Sequence, residues 1–75
     1  MKARDKKAEK KLGQNIRSYR LKIGMTQQEV ANRAGITANF VGMVERGERN
    51  ITFRNMLRIS RGLKCPLTQI LGGIR

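Results

Sequence analysis

The sequence predicts an all-α domain of five short helices. Apolar residues recur at steps of three and four from Leu12 onward, which is the spacing of one helix face. A threonine, which is a good helix N-cap, precedes each of the second, third and fourth predicted helices. No stretch alternates apolar and polar residues with a period of two, and no Asn-Gly or Asp-Gly hairpin turn is present. With 75 residues, of which 4% are aromatic, the chain has room for one domain with an aliphatic core.

The N-terminal segment differs in composition from the rest of the chain. Residues 1–11 contain no branched or aromatic apolar side chain, so we expect a basic flexible arm there, either disordered or frayed and merging into the first helix, and one domain over residues 12–75. The first helix then carries four apolar residues on one face, namely Leu12, Ile16, Tyr19 and Ile23. Gly24 is expected to end it in the left-handed conformation.

A second short helix follows. Thr26 and Glu29 have the spacing of a capping box, in which each residue satisfies a backbone amide of the other. The helix is predicted over residues 27–34 and stops at Gly35, which can adopt the positive φ that turns the chain. A short glycine-containing turn between two helices is typical of a helix-turn-helix.

The third helix has two unlike faces. Thr37 caps it, and we expect it to cover residues 38–46 before Gly47. At about 100° per residue, one arc is apolar and consists of Phe40, Val41 and Val44. The other arc is short, mixed and free of carboxylates, and consists of Ala38, Asn39, Gly42, Met43 and Arg46. Such a face can approach a surface closely, as insertion into a major groove about 12 Å wide requires.

Two further helices complete the prediction. Thr52 caps the fourth, whose predicted core face contains Phe53, Met56, Leu57, Ser60 and Leu63. Pro66 starts a short fifth helix with four apolar residues, namely Leu67, Ile70, Leu71 and Ile74. A chain of this size does not cover that face fully, so we expect these four residues to form a homodimer interface.

The charge indicates a polyanionic partner. The chain has 17 Lys and Arg against 5 Asp and Glu, a net charge of +12, and residues 1–11 hold only six of the basic residues. Solubility alone requires a net charge of roughly 2–8 in magnitude. A membrane-surface role would need an amphipathic helix with large apolar anchors, which no segment offers without losing its core residues. Double-stranded DNA is therefore the expected partner.

The sequence offers no catalytic or metal-binding constellation. There is no His and only one Cys, Cys65, which we expect to be a small core residue. Of the five carboxylates, one is expected in the capping box, one in an ion pair and two in the basic arm, so no general acid–base pair is supported and we expect no enzyme activity and no cofactor. Without an apolar leader or a membrane span, the expected location is cytoplasmic.

The segment from Leu12 to Leu71 resembles the helix-turn-helix domain of the phage lambda/434 repressors and Cro, the xenobiotic-response-element family. Three stretches in register carry the resemblance: IRSYRLKIGMTQQEVANRAGI, ERGERN and PLTQIL. The run ERGERNIT is similar to the controller proteins of restriction–modification systems. The resemblance implies a lambda-repressor-like fold with its helix-turn-helix at the second and third helices.

The resemblance also implies residue roles. It implies base contacts from three residues, namely Ala38, Asn39 and Met43. It implies phosphate contacts from five residues, namely Thr26, Gln27, Thr37, Arg46 and Arg49. It further implies a structural ion pair between Arg20 and Glu45. An asparagine can bond adenine N6 and N7 together, whereas Met43 either contacts a thymine methyl or only fills a gap.

The sequence therefore predicts a sequence-specific DNA-binding transcriptional regulator, a repressor by resemblance. It is expected to bind a palindromic operator as a homodimer, without a small-molecule effector since no separate domain could sense one. Two alternatives stay open: an antitoxin-type module that binds a partner protein and DNA only secondarily, and a non-specific nucleic-acid packaging protein.

Overall fold

The computed structural model describes residues 5–74 and confirms the predicted all-α fold. The regular secondary structure of this range is helical and comprises α1 (Lys6–Lys22), α2 (Gln27–Ala34), α3 (Ala38–Glu45), α4 (Phe53–Leu63) and α5 (Leu67–Ile70). Helix α2 packs against both α3 and α4, and α1 packs against α3 and α5. None of the helices in the described range has the length and apolar character that crossing a bilayer requires.

Helix α1 begins earlier than the sequence predicted. Asp5 is its N-cap, and the Asp5 carboxylate accepts a hydrogen bond from the amide of Ala8 at 3.0 Å. Residues 6–11 of the predicted arm are therefore not flexible but continue into the first helix, because the cap and packing against the end of α3 replace the missing apolar contacts. Residues 1–4 of the predicted arm lie outside the described residues.

The helix-turn-helix has the local structure that its sequence encodes. Thr26 Oγ1 accepts from the Glu29 amide at 3.0 Å, and Glu29 Oε1 accepts from the Thr26 amide at 2.8 Å, so the capping box is complete. Gly35 turns the chain with φ 72°. Thr37 Oγ1 then caps α3 by accepting from the Phe40 amide at 3.0 Å. The predicted bounds of α2 are confirmed, and α3 ends one residue before the predicted end.

The core is aliphatic, as expected. Its buried residues come from all five helices and from Cys65 in the loop before α5: Leu12, Ile16, Val30, Ala31, Val41, Val44, Ile59, Leu63, Cys65 and Ile70. The predicted role of Cys65 as a small core residue is confirmed, and burial raises the pKa of its thiol.

The predicted core face of α4 is wrong in part. Phe53 is 64% exposed, whereas Ile59, which the prediction left out, is fully buried. Ile59, Gly62 and Leu63 share the face of α4 that packs against α2, where a Cβ atom on Gly62 would lie 3.1 Å from the carbonyl oxygen of Val30. Phe53 lies about 120° around the helix from Ile59 and is therefore off this face.

Candidate nucleic-acid interface

A buried ion pair fixes α3 against α1. Arg20 Nε donates to Glu45 Oε2 at 2.6 Å and Arg20 Nη2 donates to Glu45 Oε1 at 3.0 Å, with both side chains buried. The hydrogen bonds to Glu45 raise the pKa of Arg20. Because the contact is bidentate, it fixes orientation as well as distance. The ion pair that the resemblance implied is thus present in the structure.

Two further hydrogen bonds extend this pair toward α2. Arg20 Nη1 donates to the carbonyl oxygen of Met25 at 2.9 Å, just before α2 begins. Gln27 Nε2, in the first turn of α2, donates to Glu45 Oε1 at 3.0 Å. The carboxylate of Glu45 therefore joins α1, the start of α2 and the end of α3 in one network, which holds the two helices of the motif in a fixed relation.

The two faces of helix α3 lie as the sequence predicted, one in the core and the other toward solvent. Val41 and Val44 are buried in the core, and Phe40 is half-buried. On the other side, Asn39 is exposed, and its Nδ2 makes only a 3.7 Å contact with Met43 Sδ. A nitrogen–sulfur contact of this kind is weak, because a thioether is a poor acceptor. The amide of Asn39 is therefore available to an incoming ligand.

Gly42 is buried, although the helix arithmetic placed it on the outer side of α3. A Cβ atom there would lie 3.2 Å from Arg46 Nη1 and 3.4 Å from Gln27 Oε1. The side chains of Gln27 and Arg46 thus cover the glycine. The absence of a side chain at Gly42 lets these two side chains converge beside the exposed end of α3, a long-range contact that helical periodicity does not predict.

The N-termini of α2 and α3 carry exposed threonine caps. The hydroxyls of Thr26 and Thr37 accept from backbone amides and keep one O–H each to donate. Gln27 likewise uses one N–H of its amide on Glu45 and keeps the second. Free hydroxyls, a free amide hydrogen and the partial positive charge of a helix N-terminus together suit a phosphate oxygen.

The arginines that follow α3 have partners that the sequence analysis missed. Arg46 Nε donates to Glu48 Oε2 at 3.0 Å, and both side chains are more than half exposed. This contact raises the pKa of Arg46 and lowers that of Glu48. The guanidinium of Arg49 lies 5.6 Å from the ring centroid of Phe40, a cation–π distance. The only sequence signal for the Arg46–Glu48 ion pair is that the two opposite charges are two residues apart.

The apolar set predicted for a dimer interface is only partly on the surface. Ile70 is 1% exposed and belongs to the core of its own chain, so its prediction as an interface residue is wrong. Asn15 of α1 binds the end of α5, since its Nδ2 donates to the carbonyl oxygens of Ile70 at 2.7 Å and Gly72 at 2.8 Å. The rest of the set is exposed or half-buried, namely Leu67, Leu71 and Ile74.

These features together define a class of protein. Among residues 5–74 no group of His, Cys, Asp and Glu is placed to hold a metal ion. The described range instead presents two capped helices at a glycine turn, an exposed polar face on the second of them, and exposed arginines beside it. This is the arrangement of a helix-turn-helix DNA-binding domain.

Comparison with known proteins agrees with this assignment. Residues 16–70 match the helix-turn-helix family, and the chain belongs to that family of DNA-binding transcriptional regulators, which are not enzymes. The control protein C.SmaI of Serratia marcescens is 32% identical over 60 residues, which are 80% of this chain and 71% of that protein.

Solved structures of similar proteins share the fold. The restriction–modification controller protein C.AhdI of Aeromonas hydrophila has a TM-score of 0.80 and 32% identity, over 83% of this chain and 94% of that one. Wild-type C.Esp1396I, also a restriction–modification controller protein, has a TM-score of 0.79 and 27% identity, over 85% of this chain and 87% of that one.

Proposed function

We propose that this regulator reads a two-fold-symmetric operator as a homodimer, with α3 of each subunit in the major groove. The observation that carries the proposal is the exposed Asn39 on a helix whose opposite face is buried and whose end is fixed by the Arg20–Glu45 pair. A reading helix must be held rigidly, because each base contact depends on the angle at which the side chain enters the groove.

Three residues read bases in this proposal. Asn39 exchanges its weak contact with Met43 for two hydrogen bonds to adenine N6 and N7. Ala38 and Met43, both half-buried, offer apolar surface to thymine methyl groups. The reading surface is small, so we expect a short recognised sequence in each half-site.

Five residues hold the DNA backbone. Thr26, Gln27 and Thr37 donate from the N-termini of α2 and α3, and Arg46 and Arg49 add positive charge beyond the end of α3. Phosphate contacts set the register of the protein on the duplex but carry no sequence information themselves. Their loss is expected to weaken binding to all sequences alike.

The homodimer is proposed to form through the exposed part of the α5 region. Leu71 is 37% exposed, and Leu67 and Ile74 are half-buried beside it. A single module of this size buries only about 600–1,000 Å² on DNA, so pairing two modules supplies the area that a specific complex needs. Sedimentation with operator DNA is expected to show two chains per duplex, and one chain per duplex at saturation would refute pairing.

The biological role that we propose is control of a restriction–modification system. The support is the similarity to C.SmaI and C.AhdI over most of this chain, together with the run ERGERNIT, which is similar to controller proteins of restriction–modification systems. Such a regulator acts where the chromosome is, so we expect a cytoplasmic protein.

Selection of bound sites from random DNA duplexes tests the proposal. We expect an enriched sequence with dyad symmetry, with half-sites about one helical turn, or ~34 Å, apart. Equal binding of random and selected duplexes would overturn the proposal and favour a packaging protein. Enrichment of a single half-site without symmetry would overturn the homodimer.

A further inference from the structure

We propose that the N-terminal part of α1 forms a second DNA-backbone contact, made by Lys6 and Lys10 and here called the α1 ridge. The proposal rests on the proposed function and extends the DNA contact beyond the helix-turn-helix. The match to the helix-turn-helix family covers residues 16–70, so the α1 ridge lies outside the matched residues.

The α1 ridge lies beside the end of the reading helix. A Cβ atom on Gly47 would be 2.9 Å from the Cα and 3.3 Å from the Cβ of Lys10. Gly47 follows Arg46 directly and is two residues before Arg49, and both arginines are exposed. Lys10 is therefore a direct neighbour of the segment that carries the proposed phosphate contacts.

Lys6 continues the surface along the helix. Residues four apart share one helix face, and Lys6 and Lys10 are separated by about 6 Å along the axis. Duplex DNA carries one charge per roughly 1.7 Å of its axis, so a backbone that reaches Arg46 or Arg49 has further phosphates within this distance. Both lysines are exposed, which leaves their ammonium groups free to meet them.

The carboxylates of this segment offset only half of its positive charge. Residues 5–11 hold four lysines against Asp5 and Glu9, and Asp5 also caps α1. Lys6 also lies in the first turn of α1, where a positive charge opposes the helix dipole, so helix stability does not explain its presence there. What the α1 ridge presents to solvent is positive charge in a fixed place.

The same helix provides a matched control pair. Lys7 and Lys11 are also four residues apart, and they line a groove between α1 and the C-terminal segment, which Lys10 borders as well. Lys10 differs from them in its contact with Gly47, next to the arginines that follow α3. A Cβ atom on Gly73 would lie 3.0 Å from Lys11 Cε. K6Q/K10Q and K7Q/K11Q therefore remove the same charge from the same helix, but only the first pair includes the lysine that contacts Gly47. Glutamine is as good a helix former as lysine.

The test measures how the affinity of full-length protein for its selected duplex depends on salt between about 50 and 200 mM. Each phosphate contact contributes about 0.9 to the slope of log affinity against log salt, so K6Q/K10Q is expected to lower the slope by about 1.8 per subunit, or about 3.6 for the homodimer. K7Q/K11Q is expected to leave the slope close to that of the wild type. Hydroxyl-radical footprinting is expected to show lost protection at the flanking sugars only for K6Q/K10Q.

Equal slopes for the two double variants would overturn the α1 ridge, because the lysines would then act only through the general positive field. An unchanged slope for K6Q/K10Q would overturn it as well. Failure of the proposed function has a different signature, since the wild-type protein would then show no sequence preference. Thermal unfolding of both variants is the folding control. Equal unfolding midpoints would show that a difference in salt slope arises in the bound state.

Discussion

Gly13 of α1 lies directly against the backbone of Glu45 in α3, where a Cβ atom on the glycine would be 2.6 Å from the Glu45 carbonyl oxygen. The two helices come this close because Gly13 has no side chain. The close approach places Arg20, two turns further along α1, within bonding distance of the Glu45 carboxylate. Gly13 thus brings α1 close enough to α3 for the Arg20–Glu45 ion pair to form.

Replacing Gly13 with alanine is expected to destabilise the protein by about 3 kcal/mol, since overpacking against backbone forces the helices apart. Chemical denaturation measures the change. Gly72→Ala is the control, because a Cβ atom there has no neighbour closer than 3.5 Å. Equal effects of the two substitutions would show that α1 and α3 do not need this contact.

The Arg20–Glu45 pair is expected to be costly to break from one side. Glu45→Gln leaves the buried guanidinium of Arg20 without its counter-charge, and about 3 kcal/mol of unfolding free energy is expected to be lost. The double variant Arg20→Met, Glu45→Leu is expected to recover part of the loss, because no buried charge remains. If the single and double variants lose the same unfolding free energy, the unpaired buried charge of Arg20 is not the cause of the loss in Glu45→Gln.

The capping box of α2 is expected to make stability depend on pH. The hydrogen bonds from Thr26 lower the pKa of Glu29 below its ordinary value of 4.5. A carboxylate with a lowered folded-state pKa contributes stability above its unfolded pKa and loses it as the pH falls through the folded one. The difference in unfolding free energy between wild type and Glu29→Gln should therefore shrink from pH ~6 to pH ~3. A constant difference would contradict the role of the cap.

Glu48 is expected to weaken DNA binding, because it occupies Arg46, which phosphate would otherwise engage. Glu48→Gln should raise the affinity for DNA of any sequence by about two- to five-fold, the range expected for an exposed ion pair. In an Arg46→Gln background the same change should have a smaller effect. Equal gains in both backgrounds would assign the effect to net charge alone.

Local signals explain why the helix-turn-helix could be predicted in detail. The signals that begin and end α2 and α3 are helix caps and a glycine turn, whose hydrogen-bond partners lie within three or four residues in the sequence. Their spacing is therefore enough to place both helices: Thr26, Glu29, Gly35 and Thr37. The alternation of buried valines with the exposed Asn39 follows from helical periodicity. The Arg20–Glu45 pair, 25 residues apart, came from family resemblance, because spacing alone gives no reason to join the two.

What the sequence did not reveal depends on contacts between distant segments. The extension of α1 to Lys6 depends on packing against Gly47, and the exposure of Phe53 depends on which face of α4 packs against α2. The burial of Ile70 depends in part on Asn15, which is 55 residues away. Glycines that permit close helix contacts look in the sequence like any other helix-weakening residue, so their packing role appears only in the fold.

Whether Asn39 reads a base is tested most directly by comparing wild type and Asn39→Ala on operator duplexes altered one base pair at a time. We expect the variant to lose its preference at one position in each half-site, at a cost of about 1–3 kcal/mol, and to keep the preferences elsewhere. Uniform weakening on every duplex, with all preferences intact, would contradict this expectation and make Asn39 a backbone contact.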